Sequence, residues 1–136
     1  MQNAFQHLNW LAIIVAAVSA FLLGGLWYSP VMFVKIWMKE AGITEDDTKK
    51  TNMIKVFGLG FILSLIASFF LAMFLGPKAG AGFGALAGFM AGLGWVFTYL
   101  GIIYLFEGKS LAHFLINGVY SIVSLTIMGL IIGVWQ

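Results

Sequence analysis

The chain has 136 residues, 62% of them hydrophobic and only 9% charged, with a mean hydropathy of +1.03. A soluble domain carries about 25% charged residues, so the composition points to an integral membrane protein. The formal net charge of +2 is too small to argue for nucleic acid, and the absence of cysteine rules out disulfides and thiolate metal sites.

About 20 helical residues cross a bilayer core. Four apolar runs reach that length, at 8–28, 53–75, 79–106 and 111–135. They predict an all-α fold, a bundle of four transmembrane helices forming a single domain over 1–136. The start of the chain carries no Lys or Arg, and the first run continues past Val18-Ser19-Ala20. It is therefore read as a retained span, not a cleaved signal.

Span one carries Ala12, Ala16, Ala20 and Gly24 at intervals of four, a stripe of small residues suited to close helix packing. It ends in Trp27 and Tyr28, which suit a headgroup boundary. Pro30 biases Ser29 away from the α region and breaks the helix there. Residues 31–41 interleave Lys35 and Lys39 with Phe33, Ile36 and Trp37. That pattern predicts a short interfacial amphipathic helix, with Gly42 as its terminator. Thr44 is expected to cap the next helix with Asp47 as capping-box partner. That helix is expected to run on into span two, where Gly60, Ser64, Ser68 and Ala72 are again four apart. The short connections Gly76-Pro77-Lys78 and Glu107-Gly108-Lys109-Ser110 predict antiparallel neighbours.

Span three opens with Gly80, Gly84, Gly88 and Gly92. Each glycine costs a water-exposed helix about 1 kcal/mol, but a bilayer enforces the helix and lets the bare face admit a neighbouring backbone. The alanine stripe of span one is its expected partner. Helical spacing places Trp95 and Tyr99 on roughly the same face. They should hold the neighbour off and fill or line a wedge.

Span four has His113, Asn117, Tyr120, Ser121 and Ser124 within one arc, and Gly118, Gly129 and Gly133 roughly opposite. Polar groups in hydrocarbon need partners, so neither face should meet lipid, and span four should be a central helix of the bundle or lie at a subunit contact. The arc is either a pocket lining, with Trp95 and Tyr99, or a set of interhelical bonds. No nucleophile triad, metal-ligand spacing or phosphate-binding loop is present, and no cofactor or metal is expected. The glycine run lies inside an apolar segment, which excludes a nucleotide fingerprint.

Lysines count six in the first and third loops against Lys78 on the other side. The positive-inside rule then puts those loops in the cytoplasm and both termini outside, in the cell (inner) membrane.

The order of motifs resembles a known family. Gly25-Leu26-Trp27-Tyr28-Ser29-Pro30, then Phe33 and Trp37-Met38, Leu105-Phe106-Glu107-Gly108-Lys109, Ile116-Asn117-Gly118-Val119-Tyr120, Met128-Gly129 and Gly133-Val134-Trp135 are similar to the bacterial and archaeal domain of unknown function 1761. The resemblance implies a small four-helix membrane protein and no established activity. From the residues, the length of the polar arc favours a transport or channel-like module with a polar intramembrane pocket; the alternatives are a structural or accessory protein without a ligand and, least supported, a membrane enzyme. The small-residue stripes predict a homo-oligomer, dimer or trimer, in a lipid bilayer; the small-molecule ligand, if there is one, is not specified.

Overall fold

The computed structural model describes residues 5–136. It is all-α, with no strand among those residues. The long helices are α1 (Trp10–Trp27), α4 (Met53–Leu75), α5 (Ala81–Ala91) continuing through a π-helical segment (Gly92–Phe97) into α6 (Thr98–Glu107), and α7 (Leu111–Trp135). Two short helices, α2 (Val34–Ala41) and α3 (Glu45–Lys50), join α1 to α4. Four helices, counting Ala81–Glu107 as one, are long and apolar enough to cross a membrane.

The helix ends follow from local chemistry. Asn9 caps α1 by accepting from the Ala12 N–H, and Ser110 caps α7 by accepting from the His113 N–H. Gly42 ends α2 in the left-handed region. Thr44 and Asp47 form the capping box that opens α3. The Asp47 carboxylate accepts the backbone N–H and hydroxyl of Thr44, and these bonds hold its pKa below the ordinary carboxylate value.

The α3 helix does not run on into α4 as expected. Thr51 is extended, and Asn52 starts a new helix by accepting from the Lys55 N–H. An asparagine side chain at that point offers the backbone a cap instead of another helical turn.

The core is built on α7, which touches α1, α2, α4, α5, the π segment and α6. The central position expected for span four is thus found. On one side α1 runs antiparallel to α7, from the bond of the Asn9 amide to the Trp135 carbonyl (2.9 Å) at one end to Trp27 and Ile116 at the other. The buried alanines of α1, Ala12, Ala16, Ala17 and Ala20, let both α7 and α4 come close. Ser68 of α4 is fully buried there and donates to the Ile13 carbonyl at 2.8 Å. Ala16, Ala20, Leu71, Ala72, Met128 and Ile132 form the apolar centre.

The glycine face of span three does not meet the alanines of span one; it meets α7. A Cβ built on Gly84 would collide with the Gly129 carbonyl, and one on Gly129 with the Gly84 carbonyl. At Gly88 it would strike the Leu125 carbonyl, and at Gly92 the Cα of Ile122 at 2.7 Å. Gly80, at φ +76°, caps α5, and its carbonyl lies over Gly133. The reason is that glycine on both partners allows backbone to touch backbone, whereas an alanine stripe keeps a methyl layer between them.

Across the short Gly76–Gly80 turn α4 and α5 do meet, but only briefly. Loop length brings two helix ends together but does not decide which faces fit.

The π segment is the largest departure from the expected pattern. A π turn adds a residue to the helical ladder, and one residue is worth about 100° of rotation. The face that reads Gly84, Gly88, Gly92 at intervals of four continues at Phe97, five residues on, then Gly101 and Tyr104. Trp95 and Tyr99 are turned outward, 58% and 65% exposed. Thr98 steadies the irregular turn by donating its hydroxyl to the carbonyls of Gly94 (2.8 Å) and Trp95 (3.0 Å).

The close contact at α5 gives a direct test. Gly88→Ala forces a methyl into the α7 backbone and is expected to cost about 2 kcal/mol. In mild detergent that should appear as a melting temperature several degrees lower. Gly58→Ala, where a Cβ meets nothing within 4 Å, should leave it unchanged or raise it slightly. Equal behaviour of the two variants would contradict backbone contact at α5–α7.

Candidate functional site

The polar residues converge at the end of α1, where α7 passes between it and α6. Pro30 ends α1, and the chain turns back so that the Phe33 N–H reaches the Trp27 carbonyl (3.1 Å) and the Met32 N–H the Ser29 carbonyl (3.0 Å). This turn holds Trp27 and Tyr28 against α7. The Trp27 indole N–H donates to the Ile116 carbonyl at 3.0 Å. The Tyr28 hydroxyl donates to the Asn117 side-chain carbonyl at 2.6 Å. The Asn117 amide then donates to the Tyr104 hydroxyl of α6 at 2.9 Å. One side chain thus links three helices.

Tyr120 lies one turn further along α7 and donates to the Ala20 carbonyl at 3.0 Å. Gly24 makes this bond possible. A Cβ at Gly24 would stand 3.1 Å from the Tyr120 hydroxyl, so a bare position leaves the ring its path to α1. Tyr28 and Tyr120 meet edge to face at 5.5 Å, and Tyr28 and Trp37 of α2 at 5.3 Å. Trp27 packs on Phe33 at 4.9 Å. The aromatic rings tie α2 to the same place.

Of the residues expected to line a pocket, Asn117 and Tyr120 come together here. Ser121 turns its hydroxyl back to the Asn117 backbone carbonyl (3.1 Å). Ser124 is buried a turn further along α7. His113 is buried, 6% exposed, edge to face with the Tyr104 ring at 5.0 Å, and its Nδ1 has no hydrogen-bond partner. Trp95 and Tyr99 are not part of this cluster, because the π segment rotates them away. Their expected place as spacers is taken by Phe97 and Phe114, whose tilted rings pack at 4.5 Å. Each phenyl ring sits in a glycine notch of the opposite helix, Phe97 on Gly118 and Phe114 on Gly101. The widening beyond the glycine face thus lies between spans three and four, not against span one, and Phe97 and Phe114 fill it in place of Trp95.

Reading residue by residue missed three members of the site, Trp27, Tyr28 and Tyr104. Trp27 and Tyr28 carry the same composition signal as any boundary aromatic pair. The available clue was their place just before the Ser29-Pro30 break, which fixes side chains that a free helix end would release.

Of two concavities, the first lies away from the cluster and the second borders it at Tyr104. One is an apolar cleft of about 570 Å³ between α4 and the Ala91–Trp95 stretch, with Leu125 of α7 as part of its wall. The other, about 250 Å³, lies at the α6–α7 turn against Tyr104, Lys109, Ser110 and Phe114. No group of three His, Cys, Asp or Glu able to hold a metal occurs among the described residues.

The architecture defines an all-α protein with four span-length helices, three of which are joined by side-chain bonds along α7. The family described as "Protein of unknown function (DUF1761)" matches residues 11–133, and the chain belongs to it. No curated protein and no solved structure matches the chain.

The cluster makes a prediction for stability. Asn117→Leu strands the Tyr28 and Tyr104 hydroxyls, a loss on the order of 1–3 kcal/mol. Tyr28→Phe alone should cost about 0.6 kcal/mol, the usual size of an interhelical bond in a membrane protein. On the Asn117→Leu background it should cost almost nothing, because its partner is already gone. Additive losses in a denaturation double-mutant cycle would show that the two side chains do not interact.

Proposed function

We propose that this chain is a multi-pass protein of the cell membrane that serves as a structural or accessory unit, its intramembrane polar groups bonding helix to helix. The observation that carries this reading is the state of Asn117. Its carbonyl oxygen and its amide nitrogen are both engaged, by Tyr28 and Tyr104. Both ends of the side chain are thus committed to joining helices. The Tyr120 and Ser121 hydroxyls are also bonded within the chain.

Four helices of span length and apolar composition support the membrane assignment. Open hydrocarbon surfaces such as Ile54, Phe70, Leu86 and Phe106 have a natural solvent in lipid. With the lysine excess in the first and third connections, the α2–α3 region and the α6–α7 turn face the cytoplasm and both ends of the chain lie outside. In α2 the lysines reach to water from an interfacial helix.

A small transport module is the second reading. The hollow beside Tyr104, with Lys109 and Ser110 at its wall, favours it, since a cation and two hydroxyls among apolar groups suit a small amphipathic anion.

A thermal-shift panel of amino acids, organic acids, sugars and quaternary amines separates the two. The structural reading expects no compound to raise the melting temperature of the wild-type protein in mild detergent. A rise that Lys109→Ala abolishes while the fold persists would move the assignment to transport. For orientation, alkaline phosphatase fused after Gln136 is expected to be active, and a fusion within Thr44–Lys50 inactive. The reverse pattern would invert the proposed topology.

A further inference from the structure

Trp95 and Tyr99 pose a problem that the cluster around Asn117 does not answer. In the membrane reading above, on which this inference rests, both lie deep. Trp95 stands 14 residues after Ala81 and 12 before Glu107 in a 27-residue helix, about 18 Å from the nearer end at ~1.5 Å per residue. The hydrocarbon half-thickness is about 15 Å, so Trp95 is close to the midplane. Tyr99, about 12 Å from the same end, is also within the hydrocarbon. Yet Trp95 is 58% and Tyr99 65% exposed. Among the described residues neither the indole N–H nor the phenol O–H has an acceptor. Tryptophan and tyrosine normally reach headgroups at the boundary; acyl chains offer them nothing to bond, and an unpaired donor in hydrocarbon is costly.

The same strip carries what these donors lack. Thr98 is exposed and lies between them. Its proton goes to the Gly94 and Trp95 carbonyls, which leaves its oxygen lone pairs free to accept. Gly94 is bare, and a Cβ there would meet nothing of its own chain within 4 Å. Beside it opens the apolar cleft between Phe70 and Phe74 of α4 and Ala91. Phe74 braces the Trp95 ring edge to face at 6.2 Å, so the indole is held in place.

We propose that this strip, Gly94, Trp95, Thr98 and Tyr99, is the surface through which two copies of the chain pair side by side in the membrane. A two-fold axis along the membrane normal keeps every residue at its own depth. Donors and acceptor within about 6 Å of rise then face one another across the axis, and the glycines let the two backbones approach. Self-complementarity at one depth selects a second copy as the occupant. A lipid has no acceptor there, and an unrelated protein would need to match both donors by a surface of its own.

The native chain has no cysteine, so single thiols report cleanly. Gly94→Cys and, as control, Gly58→Cys on the lipid-facing side of α4 are placed in the full chain, oxidised in native membranes with iodine and run on non-reducing gels. At least fivefold more covalent homodimer is expected for Gly94→Cys than for Gly58→Cys. Gly94→Leu is expected to keep wild-type helix content by circular dichroism while native mass spectrometry in mild detergent changes from dimer to monomer. Equal crosslinking of the two cysteine variants, an adduct of Gly94→Cys with a different protein, or a persistent Gly94→Leu dimer would each overturn the proposal. Alkaline extraction of the same membranes separates the two levels of failure. Retention without crosslinking removes the pairing alone. Release into the soluble fraction removes the membrane reading and the pairing with it.

Discussion

The fold depends on a contact between two backbones. At Gly84 and Gly129 no side chain stands between α5 and α7, and the neighbouring positions Gly88, Gly92 and Gly133 extend the contact over several turns. Helices in lipid gain little from burying apolar surface, because lipid is apolar too. Association then rests on dispersion between closely fitted atoms and on weak Cα–H···O contacts, both of which fall off steeply with distance. Glycine on both partners is what brings those atoms into range. The same glycines would weaken a helix in water; between α5 and α7 they bring backbone against backbone.

That seam has a consequence further along the helix. A face of residues four apart drifts slowly round a regular helix, since four residues turn the chain somewhat more than one full turn. The extra residue of the π segment shifts the facing positions once, from Gly92 to Phe97. Beyond that point the helices stand apart, with Phe97 and Phe114 packed reciprocally into Gly118 and Gly101. The separation admits Tyr104 to the side of α7, within reach of Asn117. The irregular turn therefore builds one part of the site and moves Trp95 and Tyr99 outward.

Two stretches that are distant in the chain meet in space. Gly24 and the Gly25–Pro30 stretch at the end of α1 lie against Ile116, Asn117 and Tyr120 of α7. The four links are Trp27 to the Ile116 carbonyl, Tyr28 to the Asn117 amide, Tyr120 to the Ala20 carbonyl, and the notch at Gly24. The three hydrogen bonds are short and directional, and each closes a polar group that an apolar surrounding would leave unpaired. A constellation of this kind specifies one register between α1 and α7, because a slip of one residue would break all of its bonds together.

The amino-acid sequence by itself determined the class of element, the four long apolar helices, the cap at Thr44, the break at Pro30, and the small and polar faces of α7; the fresh start at Asn52 was not read from it. These are properties of residues within a few positions of one another, and helical periodicity and local hydrogen bonding decide them. Which glycine face met which partner, where the π turn fell, and that Tyr28 and Tyr104 shared Asn117 were decided only in the tertiary structure. Alanine and glycine stripes look alike along one chain. They differ in how near a second backbone can come, and that distance exists only once two helices are placed side by side.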